Sequence, residues 1–110
     1  MASKGHYIHA TATAVTGVFQ ALERISDTEN VAVDPHGAAN RIGYKILITG
    51  GAATVEIRGG ASGSRAAGEM QVLRTATASE LNAIVIPQPE FDFNVTANAG
   101  AVTLHSWSMD

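Results

Sequence analysis

Four histidines are the first residues in this sequence that could do chemistry, because a neutral imidazole is the commonest protein ligand for transition metals. They stand at His6, His9, His36 and His105. A metal site needs donors that converge, and these do not share a recognisable spacing. His6 and His9 are three positions apart and fall on opposite sides of a regular strand. His36 sits in the turn-forming run Asp34-Pro35-His36-Gly37, and His105 lies near the C-terminus. No His-x-His pair and no His-Glu-x-x-His motif occurs. Surface or polar packing roles are expected for all four, and no metal or cofactor.

Nucleophile chemistry finds no better support. Gly60-Ala61-Ser62-Gly63-Ser64 fails at the last position of the Gly-x-Ser-x-Gly elbow. The run Gly59–Gly68 lacks the Gly-Lys-Ser/Thr ending of a phosphate-binding loop, and its Gly/Ser content predicts a flexible connection. Cysteine is absent, which removes thiol and disulfide chemistry. Glu90 and Asp92 share a strand face opposite Phe91 and Phe93, and are expected on the solvated side rather than in acid–base work. Asp92 and Asn94 lack the loop of a calcium site, and Asn94-Val95-Thr96 is read as a chance sequon. No catalytic residue is assigned, and the chain is expected not to be an enzyme. Tyr7, Tyr44 and Trp107 remain as candidate platforms for a sugar or other ligand. Trp107, the only tryptophan, could equally plug the sandwich edge or anchor a partner.

The elements that must position these residues read as strands. A chain of 110 residues fits one domain, residues 1–110, with residues 1–5 expected as a flexible arm. Ile8, Ala10, Ala12 and Ala14 alternate with Thr-rich positions over 6–15. The segment 18–25 is ambiguous between a helical turn and a strand, with strand preferred, and 31–33 is a short strand. Ile42, Tyr44, Ile46 and Ile48 alternate with Arg41, Gly43, Lys45 and Leu47. Gly50-Gly51 permits a reversal, and Ala53, Val55 and Ile57 alternate again. This predicts a β-hairpin. A strand follows over 69–75, then a polar connection over 77–82 and an apolar run over 83–86 bounded by prolines. Phe91, Phe93, Val95 and Ala97, the Asn98-Ala99-Gly100 turn, and Val102 and Leu104 predict a second hairpin. Seven or eight strands at this spacing, without a long helix, predict an antiparallel β-sandwich, possibly a jelly roll. The expected core is Ile46, Ile48, Val55, Ile57, Phe91, Phe93, Val95, Val102 and Leu104.

Composition bounds the partners. Aromatic residues are only 5% against 45% hydrophobic overall, so the core is thin. Net charge is −3, and the seven basic residues are scattered, which disfavours nucleic acid. No apolar run approaches a membrane span, and the N-terminus lacks a secretory leader, so synthesis in a cytoplasm is expected. Leu47, Leu73 and Val85 stand opposite the main apolar stripes of their strands. With Trp107 they are the candidate partner contacts, and they predict a homo-oligomer or a mounted subunit.

From Tyr44 onward the layout resembles the small β-sandwich proteins of tailed-bacteriophage particles. The residues concerned are Ala53-Thr54-Val55-Glu56-Ile57-Arg58-Gly59, the Gly/Ser loop, the Val72-Leu73 strand, the proline-bounded segment and the closing run from Phe91 to Leu104. The resemblance covers about two-thirds of the chain and carries no active-site residues. It implies a virion structural role, foremost a capsid decoration or cement protein on the major capsid protein, with a trimer favoured. A tail or neck component, or a carbohydrate- or ligand-binding module, is the alternative.

Overall fold

The computed structural model describes residues 6–8, 12–13, 15–20, 22–24, 30–32, 41–85 and 90–109. The expected arm over residues 1–5, most of the turn over 26–30, and His9 and His36 lie outside them. The described strands are β1 (His6–Ile8), β2 (Ala12–Thr13), β3 (Gly17–Phe19), β4 (Leu22–Arg24), β5 (Asn30–Ala32), β6 (Arg41–Thr49), β7 (Ala53–Gly60), β8 (Gln71–Ala76), β9 (Glu80–Val85), β10 (Glu90–Asn98) and β11 (Ala101–Met109). One short helix, α1 (Ser64–Ala67), lies between β7 and β8.

The strands form two principal antiparallel sheets. One has the order β1-β11-β6-β9, with β2 also along β11; the other has the order β3-β10-β7-β8. The pairs β1–β11, β3–β10, β6–β9 and β7–β8 are those of one long hairpin folded on itself. Rolling that hairpin adds the pairs β11–β6 and β10–β7. The chain is therefore an all-β sandwich with jelly-roll strand order. A separate β4–β5 pair lies in the excursion between β3 and β6. The segment 18–25, ambiguous in sequence, contributes strands.

Both expected hairpins are corrected. β6 and β7 lie in different sheets, as do β10 and β11, so each connection arches across the sandwich. The two arches nest at one end. A Cβ on Gly100 would overlap the Thr49 carbonyl oxygen, and one on Gly51 would come within 2.8 Å of the Ala99 backbone. The Ala99 amide donates to the Ala52 carbonyl at 2.8 Å. Only glycine lets the two backbones approach so closely.

Alternation decides the core. Ile42, Tyr44 and Ile46 on β6 face Val55 and Ile57 on β7, and Phe91, Phe93 and Val95 on β10 complete the layer with Val102 and Leu104 on β11. Every expected core residue is buried except Ile48, which is partly buried and packs against the cluster. The Phe91 and Phe93 rings meet edge-on with centroids 5.1 Å apart, and Tyr44 approaches Phe93 at 6.4 Å.

Two register shifts correct finer expectations. Between Val95 and Ala97 the pairing slips, so Thr96 is the extra residue and Ala97 is exposed instead of continuing the Val95 face. Between Ile57 and Arg58 the partner strand supplies Arg74 and then Val72, leaving Leu73 in a bulge. β9 begins at Glu80, inside the expected polar connection. Of the strand expected over 6–15, β1 and β2 are described, and residues 9–11 and 14 lie outside the described residues.

Phe93 is fully buried and meets both other buried rings. Phe93→Ala is expected to lower unfolding free energy by about 3–5 kcal/mol, read from urea denaturation with an unchanged β-type circular dichroism spectrum.

Candidate functional site

The two outer faces of the sandwich differ in how their charges are satisfied. On the β10–β7 face, alternation turns Glu90, Asp92 and Asn94 away from the phenylalanines. The expectation that Asp92 is solvated is corrected, because its side chain is fully buried. Arg58, its cross-strand partner, donates from Nε to Oδ1 at 2.7 Å and from Nη2 to Oδ2 at 3.0 Å. Arg65 on α1 donates from Nε to Oδ2 at 2.9 Å and from Nη2 to the Phe91 carbonyl at 2.7 Å. Glu90 accepts the backbone amides of Gly63 at 2.9 Å and Arg65 at 2.8 Å. Those two amides hold its carboxyl below the usual glutamate range. The Gly/Ser segment expected to be flexible is thus tied to β10 through α1. Asn94 donates to Glu56 at 3.1 Å and completes the ladder. The arrangement holds the 61–68 segment against β10: Asp92 pairs with two guanidinium groups, Glu90 accepts two backbone amides and Glu56 accepts the Asn94 amide.

A second polar group spans the sheets at the edge formed by β8 and β9. Arg74 donates to Glu80 from Nε at 2.6 Å and from Nη2 at 2.7 Å, and the Tyr44 hydroxyl donates to the same carboxylate. Arg74 is positioned by its pairing with inward-facing Ile57, and Glu80 by its pairing with Ile46. The guanidinium holds the Glu80 carboxyl below its ordinary range. Burial, with the neighbouring carboxylate, raises the Tyr44 pKa to about 12. Ser79 extends this edge by accepting the Ile48 amide at 2.9 Å. Tyr44 is fully buried, so it is withdrawn as a sugar platform.

The outer face of β9-β6-β11 is different. Strand alternation places Arg41, Gly43, Lys45 and Leu47 there from β6. In register with them are Leu81, Ala83 and Val85 from β9, and Thr103, His105 and Trp107 from β11. Trp107 pairs with Gly43, and its indole occupies the space a Cβ on Gly43 would need. Glycine is therefore required for the ring to lie down on the sheet. Leu81 is 70% exposed, Val85 59% and Leu47 39%. Arg41 and Lys45 are exposed as well. Val18 and Val72 on the outer face of the other sheet are exposed as well, and what distinguishes the β9-β6-β11 face is that its exposed aliphatics stand beside cations with no ion pair among the described residues.

Of the four residues assigned to partner contact, Leu47, Val85 and Trp107 fall on this one face. Leu73 does not: its bulge turns it toward the core, against which it packs partly buried. Leu81, the most exposed large apolar side chain among the described residues, falls in the segment 77–82 whose composition predicts a polar connection. Arg41 and Lys45 were passed over as scattered charges, although their i, i+4 spacing on a strand puts them on one side. His105 is on this face, opposite Lys45. Among the described residues no group of three His, Cys, Asp or Glu side chains is placed to hold a metal ion. No helix among them is long and apolar enough to cross a membrane. Comparison with protein-family models, with curated proteins and with solved structures finds no match in any of the three.

The Tyr44 contact has a measurable consequence. Its native pKa of about 12 lies above the unfolded value of about 10, so the folded state keeps the proton longer. The resulting stabilisation is complete below pH of about 10 and is lost as pH rises through about 12. Absorbance at 295 nm should show one of the two tyrosines ionising only as the protein unfolds in base. Tyr44→Phe should remove that late phase.

Proposed function

We propose that this chain is a non-enzymatic structural protein of a phage particle: a capsid decoration protein that bridges and stabilises major capsid subunits. It would be made in the host cytoplasm and held in the virion. The observation that carries the reading is the outer face of β9-β6-β11, where Leu47, Leu81 and Val85 project into water beside Trp107. Covering such a face on a shell removes apolar surface from water at roughly 25 cal/mol per Å². A sandwich with a small aromatic complement gains stability from that burial in every bound copy. Repetition over a shell multiplies modest contacts into mechanical reinforcement. The jelly-roll strand order is compatible with this role and with lectin-like ones, since one fold hosts many functions. Homo-oligomer formation, with a trimer favoured, belongs to the same proposal.

Mass spectrometry of purified particles of the virus that encodes the chain should find it in many copies, and emptied shells should rebind it saturably. Leu47→Asp and Val85→Asp, both at exposed positions, should keep the fold and weaken shell binding by about tenfold or more. Absence from particles, together with no binding to shells, would overturn the proposal. Recovery with tails alone would move the protein to the tail or neck.

A further inference from the structure

We infer that the outer face of β9-β6-β11 docks on a different protein whose contact surface carries carboxylates around an apolar centre, and that Arg41 and Lys45 are the cations that meet them. The inference rests on the particle reading and names the chemistry of the surface the decoration protein would occupy. Its basis is charge. Leaving aside Arg24 on β4, five Lys or Arg residues stand in the described segments. Arg58 and Arg65 are paired with Asp92, and Arg74 with Glu80. Arg41 and Lys45 have no ion pair among the described residues, and both stand on the one face that also exposes Leu47, Leu81 and Val85. Leaving aside Glu23 on β4, the carboxylates of the described residues lie elsewhere. Glu56, Glu90 and Asp92 are on the β10–β7 side, Glu69 follows α1, and Glu80 is turned inward to Tyr44 and Arg74. In a chain of net charge −3, the described charged side chains of this face, Arg41 and Lys45, are both cationic.

The arrangement is regular enough to specify a partner. Arg41 and Lys45 are four residues apart on one strand, which sets their backbones about 13 Å apart along it. Val85 flanks Arg41, Leu81 flanks Lys45, and the Trp107–Gly43 pair lies between the two cations. A surface that fits this face offers two carboxylate positions at that separation with apolar side chains between them. A second copy presenting the same face brings Arg41 and Lys45 toward their own equivalents with no carboxylate among the face's described side chains to receive them, so self-association through this face is disfavoured. Nucleic acid fits poorly, because two cations neutralise few phosphates while three aliphatic side chains would lie against a charged backbone.

Lys45 makes the test direct, because Lys4 is the only other lysine. The Lys4→Arg protein is bound to emptied shells of the encoding virus and treated with a water-soluble carbodiimide. The reagent activates a carboxyl, a nearby amine displaces it as the urea, and an amide remains. Peptide mass spectrometry is expected to find Lys45 joined to an Asp or Glu of another protein. Arg41→Glu and Lys45→Glu are expected to reduce shell binding about tenfold each, while Glu69→Lys leaves it unchanged. A Lys45 amide to a second copy of this chain would overturn the inference. So would a bound Lys45 still open to acetylation, or a DNA duplex of about 30 base pairs competing the protein off the shell. Failure of the unmodified protein to bind any shell is a different result: it removes the particle reading itself.

Discussion

Gly100 packs against the turn from Thr49 to Gly51 so closely that no side chain could stand between them. This contact locks two connections at the same end of the molecule, and the pairing of the long strands depends on it. With the 50–52 and 99–100 arches crossing side by side, β6 can lie beside β11 and β7 beside β10, nine and eight residue pairs respectively in register. The Ala99–Ala52 hydrogen bond and the Asn98 side chain, which accepts the Gly100 amide at 3.1 Å and donates to the Val15 carbonyl at 3.1 Å, fix the crossing. Each sheet then presents one apolar face inward, and the phenylalanines of β10 fill the space opposite Tyr44.

The same topology separates the outer faces. Both sheets bury one side, yet one outer face uses its charges internally and the other leaves them to solvent. Asp92 could not be buried without Arg58 and Arg65, since an unpaired carboxylate in that position would bear its whole desolvation cost. Once they are committed there, and Arg74 to Glu80, Arg41 and Lys45 are the cations of strands β6 to β11 that have no ion pair among the described residues. They stand beside Leu81 and Val85, whose side chains are exposed on the same face.

Much of the fold is legible in the amino-acid order. Because burial on one side of a pleated strand imposes alternation, period-two runs located β6, β7, β10 and β11 and named eight of the twelve described buried apolar residues, leaving out Ile42, Tyr44, Ala53 and Ala76. Pairing was not legible. Gly50-Gly51 suits a hairpin turn as well as an arch, and the choice is made by the distant segment around Gly100. Leu73 and Ala97 were misplaced for a related reason, since a bulge shifts alternation by one without a local residue that announces it. Asp92 looked like a solvated strand residue because its partners come from a cross-strand neighbour and from a loop 27 residues away. The candidate face was half legible: Leu47, Val85 and Trp107 broke the expected pattern, whereas Leu81, Arg41 and Lys45 gained meaning only from register.

The crossing of the arches is tested most directly by cross-strand nuclear Overhauser contacts between backbone protons. The jelly-roll arrangement predicts contacts between the Tyr44 and Ser106 and the Val55 and Val95 backbones, which are opposite one another in register. It also predicts no ladder between β6 and β7. A continuous ladder joining Ile46 and Ile48 to Ala53 and Val55 would make the Gly50-Gly51 turn a hairpin and contradict the account.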